Sequence, residues 1–129
     1  MEINFHSMTE VFNEANEELF ELEKNWLVLR QKLKAQFGKA PDLNAVLMLI
    51  GIRELGSVKD KFSKEEKQDL MHIATCKLLS VHGYYKLKGL DQEGWPHWQL
   101  VKKLPQMNLK QQEDLLRECA LIYFHEIGY

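Results

Sequence analysis

The first forty residues repeat apolar positions at alternating steps of three and four. The series runs over four heptads through Phe5, Met8, Phe12, Ala15, Leu19, Leu22, Trp26, Leu29 and Leu33. This spacing is typical of the a and d positions of a helix that packs against another helix. Ser7 and Glu10 have the spacing of a capping box, and Gly38 and Pro41 favour a stop. We predict one helix over about residues 8–37, about 45 Å long.

Two shorter helices are predicted next. Residues 42–56 are apolar around most of a helical circumference, which is typical of a buried, central helix. Gly51 within this segment indicates either a close helix crossing or a tolerated glycine. Ser63 and Glu66 repeat the capping-box spacing and predict a third helix that runs to about Val81.

The pattern changes after Gly83. Residues 84–90 and 95–101 are short, aromatic, β-prone runs on either side of a turn-rich tetrad at 91–94. They predict a β-hairpin, and Pro96 places its second strand at an edge or a bulge. A last helix is predicted from a cap at Asn108 to about residue 127.

These elements predict a mainly α protein: a four-helix domain with a long N-terminal helix and one β-hairpin before the last helix. The length of 129 residues fits a single domain. Its parts are the long amphipathic helix at 1–39, a helix pair at 40–82, the aromatic hairpin at 83–104 and the C-terminal helix at 105–129.

Charge is divided along the first helix. Residues 1–23 hold seven acidic and no basic residues, and residues 24–39 hold five basic and no acidic residues. This polarity matches the helix macrodipole and so stabilises the helix by itself. It also bears on pairing, because a parallel copy would place Glu18 against Glu23.

An antiparallel pair of first helices has complementary charges instead. Centred near Trp26, it brings Glu18 to Lys32 and Glu23 to Arg30. A helix of about 45 Å also overhangs a domain about 35 Å across. Two alternatives follow: the other helices of the chain cover the apolar strip, or a partner does. For association we predict a seam formed by Phe12, Leu19, Leu22, Trp26 and Leu29.

Aromatic residues are concentrated in the hairpin. Tyr84, Tyr85, Trp95 and Trp98 lie within fifteen residues, and a hairpin has too little area to bury all four within itself. They either pack onto the helices and close the core or form a recognition surface for a protein partner. Nearby cations are Lys86, Lys88, Lys102 and Lys103.

The order helix, helix, hairpin over residues 42–101 resembles that of a winged-helix DNA-binding domain. The resemblance implies nucleic-acid binding, with residues 64–81 as the recognition helix and the hairpin as the wing. That helix begins Lys64-Glu65-Glu66-Lys67-Gln68-Asp69, and its acidic residues would repel phosphates. Together with a net charge of −2, this makes nucleic-acid binding the alternative rather than the first prediction.

Catalytic and metal chemistry have few candidates. His72 and Cys76 stand four apart on one helix face, a spacing that suits two metal ligands or a thiol with a base. A further ligand would have to come from His82, His97, Cys119 or His125. No metal-binding motif, phosphate loop or serine elbow accompanies the pair, so we expect no cofactor, no metal and no catalysis. A metal-dependent or thiol enzyme is the third alternative.

The remaining features concern location. The longest apolar-looking run, at 43–52, is half of the roughly 20 residues that a membrane span needs. The N-terminus lacks the pattern of a signal peptide, and the only cysteines are Cys76 and Cys119, each within a helical pattern. We therefore expect a cytoplasmic, non-catalytic interaction or adaptor module that binds a protein partner or a second copy of itself.

Overall fold

The structure is a computed structural model that describes residues 5–56 and 59–129, with side chains described at residue 10 and from residue 13 onward. It confirms the mainly α fold, with four helices and one two-stranded hairpin before the last helix. The elements are α1 (Phe5–Phe37), α2 (Leu43–Leu55), α3 (Lys64–Leu79), a 3₁₀ turn (Ser80–His82), β1 (Tyr85–Leu90), β2 (Pro96–Leu100) and α4 (Leu109–Glu126).

Local capping fixes where three of the helices begin. Asp42 accepts a hydrogen bond from the Ala45 N–H at the start of α2. Ser63 starts α3 and Asn108 starts α4, each in a complete capping box with the residue three positions later. A polar side chain at each site satisfies N–H groups that the helix leaves unpaired, so these starts lie where the sequence predicts them.

The start of α1 differs from the prediction. The helix already includes Phe5, so Ser7 lies inside its first turn rather than at its cap. The helix follows the apolar series, which begins at Phe5, rather than the capping-box spacing. The side chain of Ser7 lies outside the described residues.

A close helix contact joins α2 to α3. A Cβ added to Gly51 would lie 2.2 Å from the carbonyl oxygen of Leu70, so only glycine permits this approach. Of the two interpretations of Gly51, the close crossing is confirmed. Within the described part of the chain, none of the helices combines the length and the apolar character needed to cross a membrane.

One hydrophobic core joins the four helices. Its buried members are Trp26, Leu29 and Leu33 of α1, Val46, Leu47 and Ile50 of α2, Ala74 and Leu78 of α3, and Cys119, Ala120, Tyr123 and Phe124 of α4. All the α1 members come from its second half. From residue 13 to residue 25, Leu22 is the one side chain of α1 that is even half-buried. The first half of α1 therefore extends beyond the core.

The hairpin is antiparallel and packs on α3 through both strands. Tyr85 pairs with Leu100, and the register shifts between Leu87 and Gly89 at a β-bulge. The carbonyl of Tyr84 closes the base of the hairpin, because it accepts a hydrogen bond from the Val101 N–H at 2.9 Å.

Candidate interaction surfaces

The apolar strip of α1 divides into a covered and an uncovered part. Trp26 and Leu29 are 7 % and 4 % exposed, because they belong to the hydrophobic core, where α4 packs against α1. These two residues of the predicted seam belong to the core of their own chain and are not available to a partner. Leu19 is 41 % exposed and Leu22 is half-buried. The side chain of Phe12 lies outside the described residues.

Arg117 of α4 anchors the boundary between the two parts of the strip. Its guanidinium lies 3.3 Å from a carboxylate oxygen of Glu23 and 5.9 Å from the centre of the Trp26 ring. Further along, the Tyr129 hydroxyl donates to the side-chain carbonyl of Gln36. The contact that lies later in α1 is also the one that lies later in the chain around α4, so α4 runs parallel to α1.

Two of the charged residues predicted to pair with a second copy already have partners within their own chain. Glu23 pairs with Arg117, and the Arg30 Nε donates to the carbonyl of Pro41 at 2.7 Å. The predicted contact between Glu23 and Arg30 of a partner therefore competes with two intramolecular contacts. Glu18 and Lys32 are exposed, and no charged group of the described residues forms an ion pair with either.

A groove of 840 Å³ opens between the first half of α1 and α4; we call it the acidic groove. Its apolar lining comes from Ala15, Leu19, Leu22, Leu121 and Ile122. Its acidic lining comes from Glu14, Glu17, Glu18, Glu21 and Glu118. The groove is where the strip of α1 continues past the core without cover.

A smaller cleft of 260 Å³ continues the acidic groove along the same two helices; we call it the basic cleft. Its lining is Asn25, Val28, Leu29, Lys32, Leu121, Phe124, His125 and Tyr129. Asn25 and Leu121 line both cavities, so the two form one continuous surface. This surface is acidic at one end and carries Lys32 and His125 at the other.

A third surface lies where the hairpin meets α3. A cleft of 360 Å³, the hairpin cleft, is lined by Trp95 and Trp98 on one side and by His72 and Ile73 on the other. The indole N–H of Trp98 is buried and has no acceptor among the described residues. Tyr84 and Tyr85 at the base of the hairpin are half-buried, as are both tryptophans. The four aromatic residues are therefore partly covered by the rest of the chain and partly accessible.

Asp91 organises the turn that carries these tryptophans. One of its carboxylate oxygens accepts hydrogen bonds from the N–H groups of Glu93 and Trp95, both at 2.9 Å. The other lies 3.0 Å from the Nε2 of His97. The bond to His97 and those to the two N–H groups hold the pKa of Asp91 below its ordinary value. The sequence predicts a turn at residues 91–94 but not the role of Asp91, although aspartate is a common acceptor in such turns.

Lys102 fastens the base of the hairpin. Its ammonium group donates to the carbonyl of His82 at 2.8 Å and lies 4.4 Å from the centre of the Tyr84 ring. This cation–π contact gives one of the four predicted cations a structural role. Lys86 and Lys88 lie exposed on β1.

His72 and Cys76 lie close to each other on α3. Their Nε2 and Sγ atoms are 3.5 Å apart, and burial raises the pKa of the Cys76 thiol to about 11. Burial also raises the pKa of Cys119 to about 11. A nucleophilic cysteine needs a lowered pKa, and both thiols show the opposite shift. Across the described ranges, no group of three or more His, Cys, Asp or Glu side chains is placed to hold a metal ion.

Comparisons with models of known protein families, with curated proteins and with solved structures give no match to this chain. The winged-helix resemblance therefore stays a prediction. The order α2, α3, hairpin is present, but Glu65 and Asp69 lie exposed near the start of α3, where phosphate contacts would form.

Proposed function

We propose that this chain is a non-catalytic protein–protein interaction module that binds through α1. The observation that carries the proposal is the apolar strip that leaves the core and continues uncovered through Leu22, Leu19 and Ala15. Phe20, beside this strip, is 67 % exposed. Contiguous apolar surface on a helix that protrudes from its domain is typical of a binding site for another helix.

The aromatic hairpin is the second binding surface in this proposal. Tyr84, Tyr85, Trp95 and Trp98 are each half-buried, and Asp91 holds the turn through two backbone hydrogen bonds. Tryptophan and tyrosine are frequent anchors of protein interfaces because they contribute a large apolar area with few rotatable bonds. A rigid turn lowers the entropy that such anchors lose on binding.

The proposed location is the cytoplasm. Cys76 and Cys119 are both buried free thiols on separate helices. Unpaired cysteines of this kind are typical of proteins from reducing compartments. The proposal therefore places the partner in the same compartment.

Affinity capture from cells that produce this protein tests the α1 surface. The immobilised chain is compared with the Leu19→Ser variant and with a control, Val81→Ser. Leu19 and Val81 are 41 % and 47 % exposed, so the two substitutions remove similar exposed apolar groups. We expect Leu19→Ser to weaken the specific association about tenfold or more and Val81→Ser to preserve it, with equal helical circular dichroism. Equal capture by Leu19→Ser and the native chain would contradict the proposal.

Trp95→Ala tests the hairpin in the same assay. Because Trp95 is half-buried in the hairpin cleft, its loss removes an anchor without opening the helical core. We expect loss of the proteins that bind the hairpin and retention of those that need Leu19. If Trp95→Ala captures every protein that the native chain captures, the hairpin is not a binding surface.

A further inference from the structure

We propose that the occupant of the acidic groove is a second copy of this chain, docked antiparallel about a two-fold axis at Asn25. This inference rests on the proposed function and names the partner of the α1 surface. It places the axis where the acidic groove meets the basic cleft, since Asn25 lines both.

The spacing of residues about Asn25 is self-complementary. In an antiparallel pair centred there, each residue meets the one that lies equally far on the other side of the centre. Leu22, three positions before the centre, meets Val28, three positions after it, so two apolar side chains face each other. Glu18, seven positions before, meets Lys32, seven positions after, so opposite charges face each other. All five side chains line the continuous surface.

The apolar surfaces also match. The uncovered strip at Ala15, Leu19 and Leu22 needs an apolar partner, and Val28, which lines the basic cleft, is 47 % exposed. In a two-fold dimer each copy supplies both halves, so each strip is covered and each cleft is filled at the same time. An interface of this kind closes on itself and stops at two copies.

Charge favours the antiparallel copy over a parallel one. The acidic groove holds five glutamates, and the basic cleft holds Lys32 and His125. A parallel copy would place glutamates beside glutamates, whereas the antiparallel copy places each acidic half against a basic half. Residues 24–39 carry five basic and no acidic residues, so the chain itself contains the basic helix that fits its acidic groove. Such complementarity selects orientation and partner.

Charge reversal tests this arrangement by sedimentation equilibrium of the full chain. We expect a dimer for the native chain at micromolar concentration. Glu18→Lys and Lys32→Glu should each raise the dissociation constant about tenfold, because either one replaces two attractive contacts per dimer with two repulsive ones. The double variant restores both contacts and should return the dissociation constant to within about threefold of the native value.

A substitution at the axis tests the symmetry. Asn25→Asp places two carboxylates against each other across the axis and should weaken the dimer about tenfold or more, whereas Asn25→Ala should not. Asn25 is exposed in the monomer, so both variants should keep the native circular dichroism and thermal unfolding.

The failure of this inference can be told apart from failure of the proposed function. A native chain that stays monomeric through the micromolar range, a double charge variant that stays weak, or a harmless Asn25→Asp each overturns the second copy. If Leu19→Ser still abolishes capture of another protein in that case, α1 binds a different partner and the proposed function stands. A native chain that stays monomeric, together with a Leu19→Ser variant that captures every protein as the native chain does, would overturn both.

Discussion

Gly51 shows how one missing side chain sets the distance between two helices. In an open helix, alanine is more stable than glycine by about 1 kcal/mol. Here a Cβ would meet the backbone carbonyl of Leu70 at 2.2 Å, and backbone cannot rotate away. We expect Gly51→Ala to lower the free energy of unfolding by about 1–3 kcal/mol, measured by urea denaturation.

Asn44→Ala is the matched control for this substitution. It introduces alanine at an exposed position of the same helix and should change the free energy of unfolding by less than about 0.5 kcal/mol. A Gly51→Ala variant as stable as the native chain would mean that α2 and α3 do not approach this closely. The sequence left two interpretations of Gly51, because the identity of its neighbour depends on how α3 packs and not on α2 itself.

The two buried thiols make stability depend on alkaline pH. Burial raises the pKa of Cys76 and Cys119 from an ordinary value of 9.0 to about 11 in the folded chain. Unfolded thiols therefore lose protons first as the pH rises, which favours unfolding. The stabilisation is complete below pH 9 and is lost as the pH rises towards 11.

Urea denaturation at several pH values between 8 and 11 measures this effect. We expect the free energy of unfolding of the native chain to fall across the range. A variant with both Cys76→Ala and Cys119→Ala should show a shallower fall, whatever its stability at pH 8. Equal slopes in the two proteins would show that the thiols are not the cause. Tyr123, whose pKa burial also raises, adds a fall in the same direction and is common to both.

At the scale of elements, local signals are sufficient to predict the starts of α2, α3 and α4, but not the start of α1 or the candidate site. Asp42, Ser63 and Asn108 cap their helices through residues three positions away, so the sequence alone predicts them. The heptad series of α1 likewise predicts one continuous helix. It cannot show that α4 covers Trp26 and leaves Leu19 bare, because that division depends on where a helix from the far end of the chain crosses.

The hairpin turn depends on one carboxylate. Asp91→Ala removes the acceptor of two N–H groups and the partner of His97, so we expect a loosened turn and altered tryptophan fluorescence. Asp91→Asn keeps one oxygen as an acceptor, so its tryptophan fluorescence should lie between that of the native chain and that of Asp91→Ala. Glu93→Ala is the control, since it keeps the backbone N–H that Asp91 binds. Fluorescence unchanged in Asp91→Ala would contradict this role.

Acid should loosen the turn only at a pH below the ordinary pKa of an aspartate. The pKa of Asp91 is lowered, so its contribution is present above the ordinary value of 3.8 and is lost only as the pH falls through the lowered pKa. We expect the native tryptophan fluorescence to persist while the pH falls to the lowered pKa of Asp91. It should change only at a pH below that pKa. A change that is complete well above pH 3.8 would contradict the proposed bonding.

At the scale of the whole molecule, α1 belongs to two environments. Its second half is part of the core, and its first half lies along a groove that its own chain leaves open. The charge division of the sequence favours an antiparallel partner, which stays a prediction, and the surface that joins α1 to Leu121 and Ile122 was not predictable. The approach of those two residues is set by the parallel packing of α4 on α1.

Amide hydrogen exchange along α1, measured over a series of protein concentrations, tests the central claim that a partner covers this half. Helical amides without tertiary packing open locally more often. In dilute solution we expect residues 13–25 to exchange faster than residues 26–37, and to slow as the concentration rises into the micromolar range while α2 stays unchanged. Slow exchange of residues 13–25 at every concentration, equal to that of residues 26–37, would contradict the account.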